Sequence, residues 1–186
     1  SLNLLTANSN DKKLLDQCKS FRPKYAYMAD IKASRKLQKN LKLENVKTKV
    51  LTSDKDLHEV IASDETEIVV AGMVGVAGLE PVLTSIVNGK RLLLANKESY
   101  VVAGEYLNNL AQQNTATIFP IDSEHSAIHQ CLAGSLNSKN DVSKIVLTGS
   151  GGPFLNIDTS LLKDITPEEA ISHPIWNMGK KISVDS

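Results

Sequence analysis

From its first residue to roughly residue 150, the chain alternates short apolar runs with longer stretches in which apolar residues recur every three or four positions. The short runs are Leu2 to Thr6, Lys24 to Met28, Lys49 to Leu51, Glu67 to Ala71, Arg91 to Ala95, Thr117 to Ile121 and Lys144 to Thr148, each the length of a strand. Between them, Asn10 to Lys19, Ala33 to Leu43, Asp54 to Ala62, Leu79 to Asn88, Tyr100 to Gln113 and Ser123 to Leu132 carry helical periodicity. End signals agree with these limits. Ser53 stands where an N-cap belongs and Gly89 just past a helix end, while Thr166-Pro167-Glu168-Glu169 reads as a capping box with proline at the first helical position. Runs such as Ile68-Val69-Val70 and Leu92-Leu93-Leu94 lack polar alternation, as a sheet covered on both faces requires. Strand-helix-strand order implies parallel pairing, so the pattern predicts an α/β fold with a doubly wound parallel sheet.

Composition narrows the function classes. With 186 residues the chain is long enough to bury a core without staples. Hydrophobic residues at 41%, charged residues at 23% and a mean hydropathy of -0.15 describe a soluble globular chain, not a disordered, collagen-like or membrane-spanning one. Lys and Arg (21) balance Asp and Glu (21), so no global field draws in nucleic acid or an anionic membrane. Cys18 and Cys131 are far apart and show no CxxC spacing, which fits reduced thiols better than a disulfide framework. The N-terminal SLNLLTANSN lacks the basic start and apolar stretch of a signal peptide. These features predict a cytoplasmic protein with neither nucleic acid nor membrane as partner.

Glycine is concentrated in two loops, Gly72, Gly75 and Gly78 in one and Gly149, Gly151 and Gly152 in the other, each after a predicted strand. Ligands of open α/β sheets bind outside the carboxyl ends of strands, so both loops face the expected crevice; the plainer reading is tight turns. The sharpest chemical signal is Asp122-Ser123-Glu124 at a strand-to-helix turn. Two carboxylates so close can converge on magnesium or manganese, and they equally suit a helix start, with Asp122 or Ser123 as cap and Glu124 against the dipole. His125 and His129, four apart on the next helix, permit a zinc pair, but the Glu-His-x-x-x-His order is not that of a zincin, and His129 at least is expected to pack or lie at the surface. Asn96-Lys97-Glu98-Ser99 follows a strand, where Lys97 can serve a phosphate, a carboxylate or a polarised oxygen; alternatively Asn96 caps a helix with Lys97 and Glu98 solvated. Thr148 to Phe154 offers backbone N–H groups and hydroxyls suited to phosphate, without a Walker lysine. His173 to Gly179 holds the only Trp of the chain in a loop that reads as a lid or as a satellite hydrophobic cluster.

Taken together, the segments GMVGVAGL (72 to 79), LANKES (94 to 99), PIDSEHSAIHQCL (120 to 132), LTGSGGPF (147 to 154) and HPIWNMGKKISVDS (173 to 186) resemble the 1-deoxy-D-xylulose 5-phosphate reductoisomerase family. The resemblance implies a Rossmann-type NADPH-binding domain whose first strand is missing, followed by part of an α/β catalytic domain. It implies Asp122 and Glu124 as ligands of Mn2+, Mg2+ or Co2+, and Lys97, Ser123 and Glu124 as substrate contacts. Ser150 and Ser186 match groups that hold the substrate phosphate, and His173 and Trp176 sit with Met178 in the family's lid. Asn8, Ser9 and Asn10 match the loop that meets the 2′-phosphate end of NADPH; Asn96, Glu98 and Gly179 match further cofactor contacts. The implied chemistry is isomerisation of a sugar phosphate followed by hydride transfer, with the metal chelating substrate oxygens and a closed lid excluding water.

The expected domains are residues 1–121 for the cofactor and 122–186 for metal and substrate. The chain begins at Ser1, almost inside a strand, and Lys180 to Ser186 shows no cap or terminal helix. The resemblance places a Gly-Ser-Thr-Gly-Ser-Ile-Gly loop before Ser1, and a third metal ligand, further substrate contacts and a helical domain after Ser186. An internal portion, catalytically incomplete alone, is therefore expected. Relatives are homodimers, and a plastid-type organelle replaces the cytoplasm in a eukaryotic source. The rival readings are a semialdehyde or homoserine dehydrogenase on the same architecture, and a non-catalytic binding or assembly module of the same descent.

Overall fold

A computed structural model describes residues 1–133, 142–149, 151–177 and 179–185. They form two compact units, Ser1–His129 and Gln130–Ser186.

In the first unit strands and helices alternate: β1 (Leu4–Ala7), α1 (Asp11–Phe21), β2 (Tyr25–Met28), α2 (Ile31–Leu43), β3 (Lys49–Leu51), α3 (Asp54–Ala62), β4 (Ile68–Ala71), α4 (Leu79–Val87), β5 (Arg91–Leu94), α5 (Lys97–Gln113), β6 (Thr117–Pro120) and the start of α6 (Ser123–Leu132). All strand pairs are parallel. The sheet comes as two three-stranded halves, β1-β2-β3 and β4-β5-β6, with β1 and β4 both edge strands. No ladder joins β1 to β4; their lead-ins are tied by Asn3 Nδ2 donating to Thr66 Oγ1 at 3.0 Å.

Local chemistry explains most helix ends. Asn10, Asp30 and Ser53 each accept from a backbone N–H in the first turn of α1, α2 and α3, and Ser53 and Asp56 complete a reciprocal capping box. α5 begins at Lys97, ahead of the predicted Tyr100, because Asn96 caps it. The helix is broken at Ala103 (φ -143°, ψ 24°), beside Gly104, where the backbone is least constrained. Pro120 closes β6, an edge strand, where its missing donor costs no central ladder bond.

Each half-sheet has its own core. Ala26, Met28 and Val50 meet Leu14 and Cys18 of α1 and Ala33, Leu37 and Leu41 of α2. Ala71, Leu92 and Leu94 meet Val82 and Ile86 of α4 and Leu107 and Ala111 of α5. The expectation that Ile68-Val69-Val70 is covered on both faces is not met: Val69 and Ala71 pack on the core, whereas Ile68 and Val70 are 49% and 64% exposed. Alternate residues point to opposite faces, and the helices packed on β4 and β5 are α4 and α5, whose buried side chains lie in that single core.

The second unit is built differently. Its described regular elements are a 3₁₀ turn (Thr159–Asp164), α7 (Pro167–Ala170) and α8 (Lys180–Asp185). The predicted capping box is present: Thr166 and Glu169 bond reciprocally, with Pro167 in the first turn. Two expectations are corrected here. Lys144 to Thr148 is irregular, not a strand, with Ile145, Val146 and Leu147 all 60% or more exposed; a strand needs a partner, and among the described residues none pairs with it. Conversely Lys180–Asp185, read as a bare tail, is helical.

Candidate active site

Adjacent parallel strands release their chains at the same end. β5 and β6 are in register from Arg91 opposite Thr117 to Leu94 opposite Pro120, so Lys97 and Glu124, each in the first turn of the following helix, emerge side by side. Lys97 Nζ lies 3.6 Å from Glu124 Oε2 with both side chains about half exposed. In solvent such a pair contributes little to stability; what matters here is its position. Asp122 immediately precedes α6. Its carbonyl accepts from Ser126 N at 2.9 Å, and its carboxylate receives the His125 backbone N–H at 3.4 Å and meets His125 Nδ1 at 2.5 Å. The Asp122 side chain is only 12% exposed, against 46% for Glu124. The cap reading of Asp122 thus holds, and it leaves the second carboxylate beside the lysine. Ser123 is exposed between them.

Two hard carboxylate donors at one helix head are two of the oxygen ligands that magnesium takes, so the residues present fit the ion. Among the described residues, no group of three or more His, Cys, Asp and Glu is placed to hold a metal. His129 is exposed and rests edge-on against Phe119, ring centroids 5.9 Å apart.

At the end of β4, the loop of Gly72, Gly75 and Gly78 runs into a 3₁₀ turn (Val76–Gly78) and α4. Gly75 has φ +78°, and neither Gly72 nor Gly75 has any atom within 4 Å of where a Cβ would stand, so a ligand can approach the bare backbone. Asn96, 2% exposed, closes this loop from the neighbouring strand end, while Glu98 follows in the first turn of α5. Asn8, Ser9 and Asn10 are exposed at the carboxyl end of β1, where Asn10 Oδ1 accepts from Lys13 N at 3.0 Å. Both loops therefore lie on the strand ends where α/β sheets bind dinucleotides. A cavity of about 440 Å³ lined by Asp64, Glu67, Lys90 and Arg91 lies at the opposite, amino ends of β4, β5 and β6, away from these residues.

In the second unit, His173 Nδ1 accepts from the backbone N–H groups of Ile175 (3.1 Å) and Trp176 (3.0 Å), which puts the ring proton of the neutral imidazole on Nε2. The His173 and Trp176 rings stack at 5.1 Å and 14°, and Trp176 is 55% exposed rather than the centre of a buried cluster. Gly151 and Gly152 have φ +80° and +64°, consecutive left-handed residues after Gly149. Gly179 is exposed at the head of α8 and its carbonyl accepts from Ser183 N at 3.0 Å. Ser150, Met178 and Ser186 lie outside the described residues.

Residues 1–104 match the family described as 1-deoxy-D-xylulose 5-phosphate reductoisomerase, and residues 118–186 match the C-terminal domain of the same enzyme. The chain belongs to the 1-deoxy-D-xylulose 5-phosphate reductoisomerase family. Among its relatives, the reductoisomerases of Photobacterium profundum and of Buchnera aphidicola subsp. Schizaphis graminum are 44% and 46% identical, each over 98% of this chain and 48% of their own length. A solved reductoisomerase in complex with NADPH, fosmidomycin and magnesium superposes with a TM-score of 0.87 at 37% identity, over 98% of this chain and 47% of that one. The Zymomonas mobilis reductoisomerase in complex with NADPH gives 0.81 at 35%, over 99% and 46%. The chain spans about half the length of the relatives it matches.

Sequence reasoning missed two sets of hydrogen bonds around these strand ends. The Asp122–His125 pair had a signal, the i to i+3 spacing at a helix start. The bonds from Asn96 to the glycine loop had none, because they join positions 21 and 23 residues apart.

Proposed function

We propose that this protein converts 1-deoxy-D-xylulose 5-phosphate to 2-C-methyl-D-erythritol 4-phosphate, using NADPH and a divalent metal, in the non-mevalonate route to isoprenoids. The observation that carries the reading is the meeting of Lys97 and Glu124 at 3.6 Å, with Asp122 at the same helix head, on the ends of two adjacent parallel strands. Membership of the reductoisomerase family supports it, as does likeness to solved relatives holding NADPH and magnesium.

Asp122 and Glu124 would hold magnesium or manganese; the ion would supply Lewis-acid stabilisation of charge on substrate oxygens, and NADPH the hydride. Lys97 places its ammonium group beside Glu124, where it would stabilise negative charge developing on the reacting oxygens. Ser123, exposed between the carboxylates, offers a hydroxyl to the substrate. The glycine loop after β4, with Glu98 at the head of α5, takes the cofactor on its bare backbone, and Asn8 to Asn10 meet the cofactor's far end. His173 and Trp176 form a stacked pair whose role is to cover the substrate and exclude water. Ser150 and Ser186 are assigned to the substrate phosphate, Gly179 to the cofactor, and the working protein is a cytoplasmic homodimer. Among the described residues no helix is long and apolar enough to cross a membrane.

The test is NADPH oxidation by the full-length gene product with 1-deoxy-D-xylulose 5-phosphate. Turnover that requires Mg2+ or Mn2+, and that falls by about 10²- to 10³-fold in Lys97→Met, is the expected result. Metal-independent reduction of a semialdehyde by NADPH, or binding of NADPH without turnover, would replace this reading.

A further inference from the structure

Asn96 is one of the largest fully buried side chains, and every hydrogen-bonding position of its amide is taken by the protein. Its Oδ1 accepts from Ser99 N at 2.8 Å and from the Ser99 hydroxyl; its Nδ2 donates to Gly75 O at 2.8 Å and to Met73 O. The backbone N–H groups of Ala95 and Asn96 both donate to Ala71 O at 3.0 Å, at the end of β4. The glycine loop and the head of α5 are thus joined through one residue.

Two further residues make that junction possible. A Cβ at Gly78 would stand 2.8 Å from Asn96 Nδ2 and 3.1 Å from its Cγ, so only glycine leaves room for the amide. Ser99, 1% exposed, accounts for both bonds to Oδ1 and thereby fixes which end of the amide faces the loop. With Nδ2 turned to two carbonyls, the loop is held in the shape that leaves Gly72 and Gly75 open to solvent. Immediately after Asn96 come Lys97, which reaches Glu124, and Glu98.

We infer that Asn96 is a positioning residue and not a side-chain ligand of the cofactor. Its amide, seated by Gly78 and oriented by Ser99, sets the cofactor-facing loop and the lysine-bearing helix head as one piece, so that cofactor and reacting oxygens are presented in fixed register. This inference rests on the proposed reductoisomerase function for what is presented, and on the hydrogen bonds alone for the junction itself. A side chain with no donor or acceptor left serves a ligand only through the backbone it holds.

The decisive variant is Asn96→Asp in the full-length protein. It keeps the shape and both bonds from Ser99 but replaces two donations with a carboxylate facing two carbonyl oxygens. Hydrogen exchange of the 72–78 amides, the NADPH dissociation constant by fluorescence, and the KM for NADPH against kcat are measured for Asn96→Asp, Gly78→Ala and their double mutant. The expected result is faster exchange confined to 72–78 and the head of α5, with NADPH affinity and kcat/KM down about 10- to 100-fold, the scale of an ångström-sized misplacement. The double mutant should be no worse than the poorer single mutant, because both break one junction. Unchanged exchange, additive effects, or activity that falls only in proportion to the folded fraction with KM for NADPH unmoved would overturn the inference. Wild-type protein that fails to turn over 1-deoxy-D-xylulose 5-phosphate, while the exchange pattern responds as described, would sink the proposed function and leave the junction standing.

Discussion

Residues 1–129 and 130–186 obey the same local rules and reach different results. Capping boxes of the same design start α3 at Ser53 and α7 at Thr166. α3 goes on to bury Leu57 and Ile61, whereas α7 buries none of its residues. Among the described residues both hydrophobic cores lie in the first unit; in the second, Ile145, Val146, Leu147, Leu155, Leu161 and Trp176 are all exposed by 55% or more. A cap satisfies backbone groups wherever it occurs, but a helix of one turn gains nothing further until an apolar face is covered.

The largest test of that contrast is thiol reactivity. Cys18 is fully buried in the α1 core, and burial raises its thiol above the usual value, whereas Cys131 is exposed. Cys131 should react with an aromatic disulfide reagent at the rate of a free thiol. Cys18 should lag by about 10³-fold or more, reacting only when the core opens. Equal rates would show that the first unit has no stable core. Next in size, Leu37→Ala should lower the unfolding free energy by about 2–5 kcal/mol in urea titration, and Leu147→Ala by no more than about 0.5 kcal/mol. A comparable loss from Leu147 would mean that the second unit buries it in solution.

The smallest effect separates the two caps. Ser53→Ala should cost about 1 kcal/mol of global stability, because α3 buries Leu57 and Ile61 within the first unit, while Thr166→Ala should leave the global midpoint in place and only speed amide exchange around α7, which buries nothing. The acids of the two boxes sharpen this. Asp56 is held below its ordinary 3.8 by bonds from Ser53 and Thr52, and Glu169 below its ordinary 4.5 by bonds from Thr166. A carboxylate depressed on folding contributes stability above its unfolded pKa and loses it as pH falls through the folded one. Acidification below about pH 4 should therefore weaken global stability through Asp56, an effect absent from Asp56→Asn, whereas Glu169→Gln should leave the global acid transition unchanged.

Much of the fold was legible because its signals are local. The caps at Ser53 and Thr166, the full extent of α3 and α6, and the six strands of the first unit follow from spacing within a few residues. The run at Lys144 was misleading for the complementary reason. Its apolar pattern is that of a strand, but a strand exists only with a partner, and periodicity does not reveal one. Ile68 and Val70 misled in the same way: an aliphatic run announces that two faces can be covered, not that both are.

By itself, then, the sequence determined the parallel α/β order, the family and the residue types at the strand ends, because periodicity, caps and motifs are written within short windows. Tertiary structure decided which of those residues meet. Lys97 reaches Glu124 because β5 and β6 share a register, and Asn96 reaches Met73 and Gly75 because β4 and β5 end together. Such contacts depend on strand register across 20 or more residues, a long-range property that no local pattern encodes.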